Sequence, residues 1–109
     1  MLTLDTKLRF EGIDNFQQMY SLEELDLSDN KLDDWSCNKI GRMFRNSNLI
    51  GLNLSDNPLI SHRGIESLHW IRSLKTLKIK GTKAAKYPFL ELLINSFNEL
   101  VPECNIIYE

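Results

Sequence analysis

The stretch LEELDLSDNKL, residues 22–32, returns as LIGLNLSDNPL at residues 49–59, and both copies contain the identical tetrapeptide LSDN. Both copies fit the pattern L-x-x-L-x-L-x-x-N-x-L, which is typical of leucine-rich repeats. A third copy begins at Leu74 and has Thr82 where the others have asparagine. The copies begin 27 and 25 residues apart (22 to 49, 49 to 74), within the roughly 20–29 residues that such repeats span.

The segments between the copies also resemble each other. GIDNFQQMYSLEEL (12–25) aligns without a gap on GIESLHWIRSLKTL (64–77), with the apolar spacing of a short helix that runs into a strand. The segment between the first and second copies follows this apolar spacing less closely. Phe44 is expected to fill the core volume there. The sequence therefore predicts an α/β fold: a short, right-handed leucine-rich-repeat solenoid with about four parallel strands on one face and helices on the other.

One domain is expected over residues 1–109. Residues 1–21 are interpreted as a degenerate first repeat, residues 22–82 as three regular repeat strands, and residues 83–109 as a C-terminal capping helix and strand. The helix is predicted to begin at Pro88 and to end before Pro102. Its predicted apolar stripe consists of Phe89, Leu92, Leu93, Phe97 and Leu100. Residues 105–108 are predicted to be the last strand.

The LSDN pairs have three possible roles: metal ligands, a recognition surface, or the turn chemistry of the repeat. The repeat favours the third, because Asn30 and Asn57 end their strands and their side-chain amides can satisfy main-chain groups that the turn leaves unpaired. Thr82 is expected to do this more weakly. Asp29 and Asp56 are expected on the solvent side of the turn. A calcium site is not favoured, because core leucines interrupt the acidic residues and no glycine follows as in an EF-hand loop.

Neither the composition nor the motifs indicate an enzyme or a bound cofactor. The formal net charge of −2 indicates neither a nucleic-acid partner nor an anionic membrane, and no apolar run predicts direct membrane insertion. Cys37 and Cys104 do not form a disulfide scaffold or a zinc motif. His62 and His69 have no partners at triad spacing. The basic stretch 78–86 is interpreted as a solvated loop, although it could contact a phosphate.

The open face of the predicted sheet is the remaining candidate site. Alternation along the strands nominates Glu24, Asp26, Ser28, Gly51, Asn53, Ser55, Thr76, Lys78 and Lys80 as its partner-binding residues. The charge of this face runs from acidic through neutral to basic, which suits a charged protein partner. The alternative is that these residues only keep an open sheet soluble. Trp35 and Trp70 are expected to pack in the core or at its edge.

SDNPLISHRGIESLHWIRSLKTLKIK (55–80) and the ending LVPECNI (100–106) resemble the family of ATP synthase subunit s, or coupling factor B, and the related distal membrane-arm assembly component of respiratory complex I. The resemblance covers residues 20–107. It implies a small mitochondrial protein that binds or helps to assemble an inner-membrane complex and does not act by catalysis. Repeats of F-box and mitotic-exit proteins share the I-x-x-x-G-I-x-x-L unit. The alternative is therefore a cytoplasmic substrate adaptor of a ubiquitin ligase or a cell-cycle regulator.

The family has an N-terminal domain associated with metal binding, for which a chain of this length has no room, so no metal function carries over. Without that domain the first repeat is expected to be uncapped. Its apolar residues Leu2, Leu4, Leu8 and Phe10 are then expected at an edge that faces a partner, a lost domain or a second copy of the chain.

Overall fold

The computed structural model describes residues 22–109 and, before them, the strand Leu2–Thr3. Five short strands form one sheet: β1 (Leu2–Thr3), β2 (Glu24–Asp26), β3 (Gly51–Asn53), β4 (Thr76–Lys78) and β5 (Asn105–Ile107). They lie in the order β1-β2-β3-β4-β5, and every neighbouring pair is parallel. Each strand therefore pairs with the strand of the next repeat along the chain.

The connections between β2 and β5 contain the described helices: α1 (Asp34–Met43), α2 (His62–Ser67) and α3 (Leu90–Leu100), with short 3₁₀ turns at Leu68–Trp70 and Ala84–Lys86. Parallel neighbours require such crossover connections, because a tight hairpin can only join antiparallel strands. The α/β class predicted from the repeat, with parallel strands and intervening helices, is confirmed.

The core lies between the sheet and the helices. Leu25, Leu52, Leu77 and Ile106 occupy one register position across four neighbouring strands and are all buried. Because side chains alternate between the two faces of a strand, these four residues line the inner face. The buried residues that α1 to α3 and their flanking turns contribute to the same cluster are Cys37, Ile40, Phe44, Ile65, Leu68, Ile71, Leu93, Phe97 and Val101. Phe44 is 1% exposed, which agrees with the volume expected for it.

Local capping sets where the first two helices begin. Asp33 precedes α1 and accepts a hydrogen bond from the Ser36 amide at 2.9 Å, while the Ser36 hydroxyl lies 3.4 Å from the Asp33 amide, so the two residues form a capping box. Ser61 precedes α2 and accepts from the Arg63 amide at 3.2 Å. Both caps satisfy amides that the first helical turn leaves without a partner.

The predicted start of the last helix at Pro88 is wrong, because α3 begins at Leu90. The 3₁₀ turn Ala84–Lys86 precedes it, and Tyr87 is extended (ψ 130°) and stacks on His62. The extended residue before the proline interrupts any continuous helix through this segment. The helix ends at Leu100, two residues before Pro102, and at 11 residues it is longer than the other described helices.

Several apolar residues lie further out than expected. Within the predicted stripe of α3 only Leu93 and Phe97 are buried, whereas Phe89, Leu92 and Leu100 are exposed. The two tryptophans are predicted in the core or at its edge, and neither lies in the core, since Trp35 is 67% exposed and Trp70 is 39% exposed. The exposure of Trp70 agrees with a position at the edge of the core.

Leu59, the last leucine of the second copy, is 62% exposed while its neighbour Ile60 is fully buried. Leu59 pairs with Asp33 in an isolated parallel bridge, so the backbone is extended there. Neighbouring residues of an extended chain point in opposite directions. Burial of Ile60 therefore turns Leu59 outward.

The predictions for Leu4, Leu8 and Phe10 and for a helix within residues 12–21 fall outside the described residues. Leu2 lies in β1, opposite Leu25 of β2.

Candidate functional site

The open face of the sheet brings the nominated residues into rows. Glu24, Gly51 and Thr76 are register partners across β2, β3 and β4. Because the neighbouring Leu25, Leu52 and Leu77 are buried in the core, the residues beside them lie on the opposite face.

A second row contains Asp26, Asn53 and Lys78, which are also register partners. The parallel pairing continues beyond these strands, since the Asp29 amide donates to the Ser55 carbonyl oxygen at 2.9 Å and the Asp56 amide donates to the Lys80 carbonyl oxygen at 2.7 Å. Ser28, Ser55 and Lys80 extend the face by a third row.

Unlike charges lie at opposite sides of this face. Glu24 and Asp26 are on β2, and Lys78 is on β4, with the neutral strand β3 between them. Neighbouring strands are about 4.8 Å apart, so the two sides are separated by roughly 10 Å. Asp26 is held on its own strand by the Ser28 amide. For its charge and that of Lys78 this separation is comparable with the Debye length of about 8 Å at physiological salt, so the two neutralise each other only weakly.

Gly51 leaves space at the centre of the first row. A β-carbon placed on Gly51 would lie 3.2 Å from Cγ and 3.6 Å from Oε1 of Glu24. The Glu24 side chain thus leans across the glycine. A shallow depression of about 470 Å³ lies over the middle of the face, with Asp26, Asn53 and Lys78 in its lining.

Two side chains of the second row are held by their own strands. Asp26 Oδ1 accepts from the Ser28 amide at 2.9 Å, and Asn53 Oδ1 accepts from the Ser55 amide at 3.0 Å. The same bond repeats in two neighbouring strands and orients the polar groups where these strands end.

Asn57 joins two consecutive repeats through a fully buried side chain. Its Oδ1 accepts from the amides of Asn30 (2.9 Å) and Leu32 (3.0 Å) in the preceding repeat. Its Nδ2 donates to the Leu27 carbonyl oxygen of that repeat at 3.1 Å, and to the carbonyl oxygens of Leu54 and Ser55 at 2.9 and 3.2 Å. One amide therefore serves five main-chain groups of the kind that cost free energy when buried without a partner.

Asn30 and Thr82 occupy the same turn position in the repeats on either side. Asn30 Nδ2 donates to the Ser28 carbonyl oxygen at 3.0 Å. Thr82 Oγ1 donates to the Ile79 carbonyl oxygen at 2.6 Å and accepts from the Ala85 amide at 3.2 Å. The bonds of Thr82 stay within its own turn, whereas those of Asn57 also cross to the neighbouring repeat.

The aspartates of the LSDN pairs lie in left-handed backbone. Asp29 has φ 53° and Asp56 has φ 60°, and the corresponding residue of the third copy is Gly81 with φ 78°. Both aspartates are exposed. Glycine adopts this conformation without strain, and aspartate is one of the few other residues found there routinely. The left-handed backbone of the turn therefore explains why an aspartate stands at this position in both copies.

The two cysteines are buried thiols. Burial raises the pKa of Cys37 far above its ordinary value, and the charges of Asp34 and Asp33 raise it further. Burial also raises the pKa of Cys104, to about 11. Both thiols stay protonated at neutral pH, so neither is the thiolate that nucleophilic chemistry requires.

The histidines lie on the helix side of the molecule. His62 is half-buried and stacks on Tyr87, with ring centroids 4.2 Å apart. His69 Nδ1 lies 2.7 Å from the Glu66 carbonyl oxygen, and its ring packs against Trp70. These contacts are those of packed surface side chains.

Within the described residues, no group of three or more His, Cys, Asp or Glu side chains could hold a metal ion. The described helices also include none that is long and apolar enough to cross a membrane.

Two further residues belong to the open face beside those nominated from the sequence. β5 pairs with β4 so that Asn105 lies opposite Thr76 and Ile107 lies opposite Lys78. Asn105 is exposed and Ile107 is half-buried. The signal was present, because the same alternation along the predicted last strand places these two residues on the open face.

Comparison with known protein families matches residues 21–44 to the leucine-rich repeat. The matched segment contains the first regular copy of the pattern and the whole of α1. It supports a leucine-rich repeat protein, and repeats of this kind typically serve as protein–protein interaction modules without enzymatic activity. The match does not include residues 55–80, which carry most of the resemblance to ATP synthase subunit s.

Proposed function

We propose that this chain is a non-enzymatic interaction module, built as a short solenoid, whose open sheet face binds a charged surface of a protein partner. The observation that carries the proposal is the strand register. It gathers residues from three repeats into one surface, with Glu24 and Asp26 on β2 and with Lys78 on β4 and Lys80 just after it. A partner with the reverse arrangement of charges would be oriented by both sides at once, because electrostatic complementarity fixes register as well as affinity.

We further propose that the partner is a subunit or assembly intermediate of mitochondrial ATP synthase or of respiratory complex I, and that the chain acts in mitochondria. The support for this narrower proposal is the resemblance of residues 55–80 and of the ending LVPECNI. It is independent of the geometry of the face, so the two parts need separate tests.

The face is tested by charge reversal. Lys78→Glu combined with Lys80→Glu reverses the basic side without touching the Asp26 and Asn53 bonds, so binding should fall at least about tenfold while the melting temperature stays nearly constant. Arg45→Glu combined with Arg72→Glu changes the net charge equally at exposed positions outside the face and serves as the matched control. If both pairs weaken binding equally, the face is not the binding surface.

A second variant tests the same face by shape. Gly51→Tyr places a large ring in the depression, and the three atoms nearest the new β-carbon belong to the flexible Glu24 side chain, 3.2–3.7 Å away. Tyrosine suits a central strand, so stability should be retained while binding is lost. Retained binding would contradict the proposal.

The partner is tested by affinity purification from whole-cell extract and mass spectrometry, with the Lys78→Glu/Lys80→Glu variant as the paired sample. Enrichment of ATP synthase or complex I subunits with the wild-type chain alone would support the narrower proposal. Recovery of ubiquitin-ligase components, together with a cytoplasmic location by imaging, would favour the adaptor alternative and reject the mitochondrial one.

A further inference from the structure

A second concave surface lies at the edge of the molecule where the strands lead into the helices. It is a cavity of about 690 Å³ between two loop segments. Residues 58–63 include the first two residues of α2, and residues 83–88 include the 3₁₀ turn Ala84–Lys86. We call this cavity the loop-edge groove. Its lining includes Leu59, Tyr87 and Arg63 and shares no residue with the open sheet face.

Two contacts join the walls of the groove. The rings of His62 and Tyr87 stack at 4.2 Å with an angle of 9° between their planes and so connect the two loops. The Ala84 amide donates to the Ile60 carbonyl oxygen at 2.9 Å, which ties the same loops at their base. A preformed groove binds an extended segment at a lower entropic cost than a mobile loop would.

An apolar strip lines the groove. Leu59 is 62% exposed, and Pro58, Pro88 and the half-buried Tyr87 line the same cavity. A single exposed leucine on a convex surface needs no explanation, but an exposed leucine within a concave, largely apolar lining is what binding sites present.

The groove is also basic. Arg63, Lys83 and Lys86 are exposed at its lining. Among the described residues of the lining the one carboxylate is Asp34, which accepts hydrogen bonds from the Ser61 amide at 2.7 Å and the Ser61 hydroxyl at 2.5 Å. The described lining therefore has three cations and one carboxylate, although the whole chain has a net charge of −2.

We propose that the loop-edge groove binds an extended acidic segment of a protein partner. One apolar side chain of the segment packs on Leu59 and Tyr87, and flanking carboxylates pair with Arg63, Lys83 and Lys86. The arrangement is that of a small interface, with an apolar centre and a charged rim. It goes beyond the proposed function because it is a separate surface with a different ligand.

The apolar contact and the charge pairs of the proposed complex respond differently to salt. The rim pairs are solvent-exposed and are screened as ionic strength rises, whereas apolar contact is not. Affinity should therefore fall as salt increases and level off at the value that the apolar contact supplies.

The experiment uses the full chain and a fluorescent peptide of about twelve residues with one leucine flanked by glutamates and aspartates. Two control peptides replace all the carboxylates by amides, or the leucine by serine. We expect the acidic leucine peptide to bind and both controls to bind at least about tenfold more weakly, measured by fluorescence anisotropy at low and physiological salt.

Variants of the chain locate the site. Lys83→Glu combined with Lys86→Glu should abolish peptide binding, and Leu59→Ala should reduce it without changing the melting temperature. Arg45→Glu combined with Arg72→Glu, with the same change in net charge, should have little effect. The sheet-face variant Lys78→Glu/Lys80→Glu should retain peptide binding, so failure of this proposal and failure of the proposed function are distinguishable.

Several results would overturn the inference. These are equal binding of the acidic and amide peptides, or equal effects of the Lys83/Lys86 and Arg45/Arg72 reversals. Another is sedimentation showing a dimer that the Lys83→Glu/Lys86→Glu variant dissociates, since a second copy of the chain would then be the occupant of the groove.

Discussion

Replacing Asn57 by alanine should strongly destabilise the chain, although the residue is polar and lines neither of the proposed binding surfaces. The substitution leaves the amides of Asn30 and Leu32 without their acceptor. It also removes the donor from the carbonyl oxygens of Leu27 and Leu54, while Ser55 keeps a bond from the Asp29 amide.

The magnitude follows from these groups. A buried donor that loses its partner costs about 1–3 kcal/mol. This cost applies in full to the Asn30 amide, whereas the Leu32 amide is only part-buried and adds less. The carbonyl oxygens add less, because an oxygen has two lone pairs and is more easily satisfied. Total unfolding free energies of small domains are about 5–15 kcal/mol, so a large fraction of the stability depends on this one side chain.

The assay is urea unfolding followed by far-ultraviolet circular dichroism, with the slope m compared between variants. Asn53→Ala is the matched control: Asn53 is half-buried and its Oδ1 accepts from the Ser55 amide at 3.0 Å, so its loss should cost below about 1.5 kcal/mol. Asn57→Thr mimics Thr82 and separates the two kinds of bond. It can restore the bond within the turn but cannot reach both amides of the preceding repeat, so its stability should be intermediate.

The reasoning is refuted if Asn57→Ala unfolds within about 1 kcal/mol of the Asn53 control at the same m value. If Asn57→Thr is as stable as the wild-type chain, the bonds between repeats contribute nothing.

Further predictions concern the turn, the core and a buried thiol. Gly81→Ala should lower the unfolding free energy, measured in urea, by about 1–2 kcal/mol, because φ is 78° and the new β-carbon would lie 2.5 Å from Asp56 Oδ1. Asp56→Gly is the control, since Asp56 also lies in left-handed backbone, and it should not lower the unfolding free energy. Leu54→Ala should cost about 2–5 kcal/mol through a buried cavity, whereas Leu59→Ala should stay within about 0.5 kcal/mol in thermal melts. Burial raises the pKa of Cys104 from 9.0 to about 11, so from about pH 9 upward the unfolded thiol loses its proton while the folded one keeps it. Unfolding free energy should then fall by up to about 1.4 kcal/mol per pH unit, and Cys104→Ala should remove that part of the slope.

The repeat made the sheet predictable, because its leucines recur at positions that must all face one core. Leu25, Leu52 and Leu77 align in the structure as they align in the sequence. The charged face followed from the same alternation, since a residue next to an inward leucine lies on the opposite side of the strand.

The groove could not be predicted, because it depends on a shift between repeats. The two leucine patterns begin 27 residues apart (22 to 49). The helix caps Asp33 and Ser61 are 28 residues apart (33 to 61). The second helix therefore begins one residue later relative to its pattern.

That one-residue shift also explains the departure at Leu59. The extra residue before the cap allows Ile60 to enter the core, and the extended backbone then directs Leu59 outward. A pattern that records only which residue types are apolar cannot distinguish these two neighbours, since either could fill the core.

The residues of the repeated pattern determine the backbone of each turn. The residues between them determine what each surface binds. The buried Asn57 amide and the left-handed residue before it hold one turn on the next, so the face residues of successive strands stay in register. Rigid turns make the spacing of charges on the sheet face constant. The loops after those turns differ in length and composition, and where they differ Leu59 and the cations around Tyr87 form a groove. A change in a turn residue should therefore weaken both surfaces through stability, whereas a change between the repeat positions should alter one surface alone.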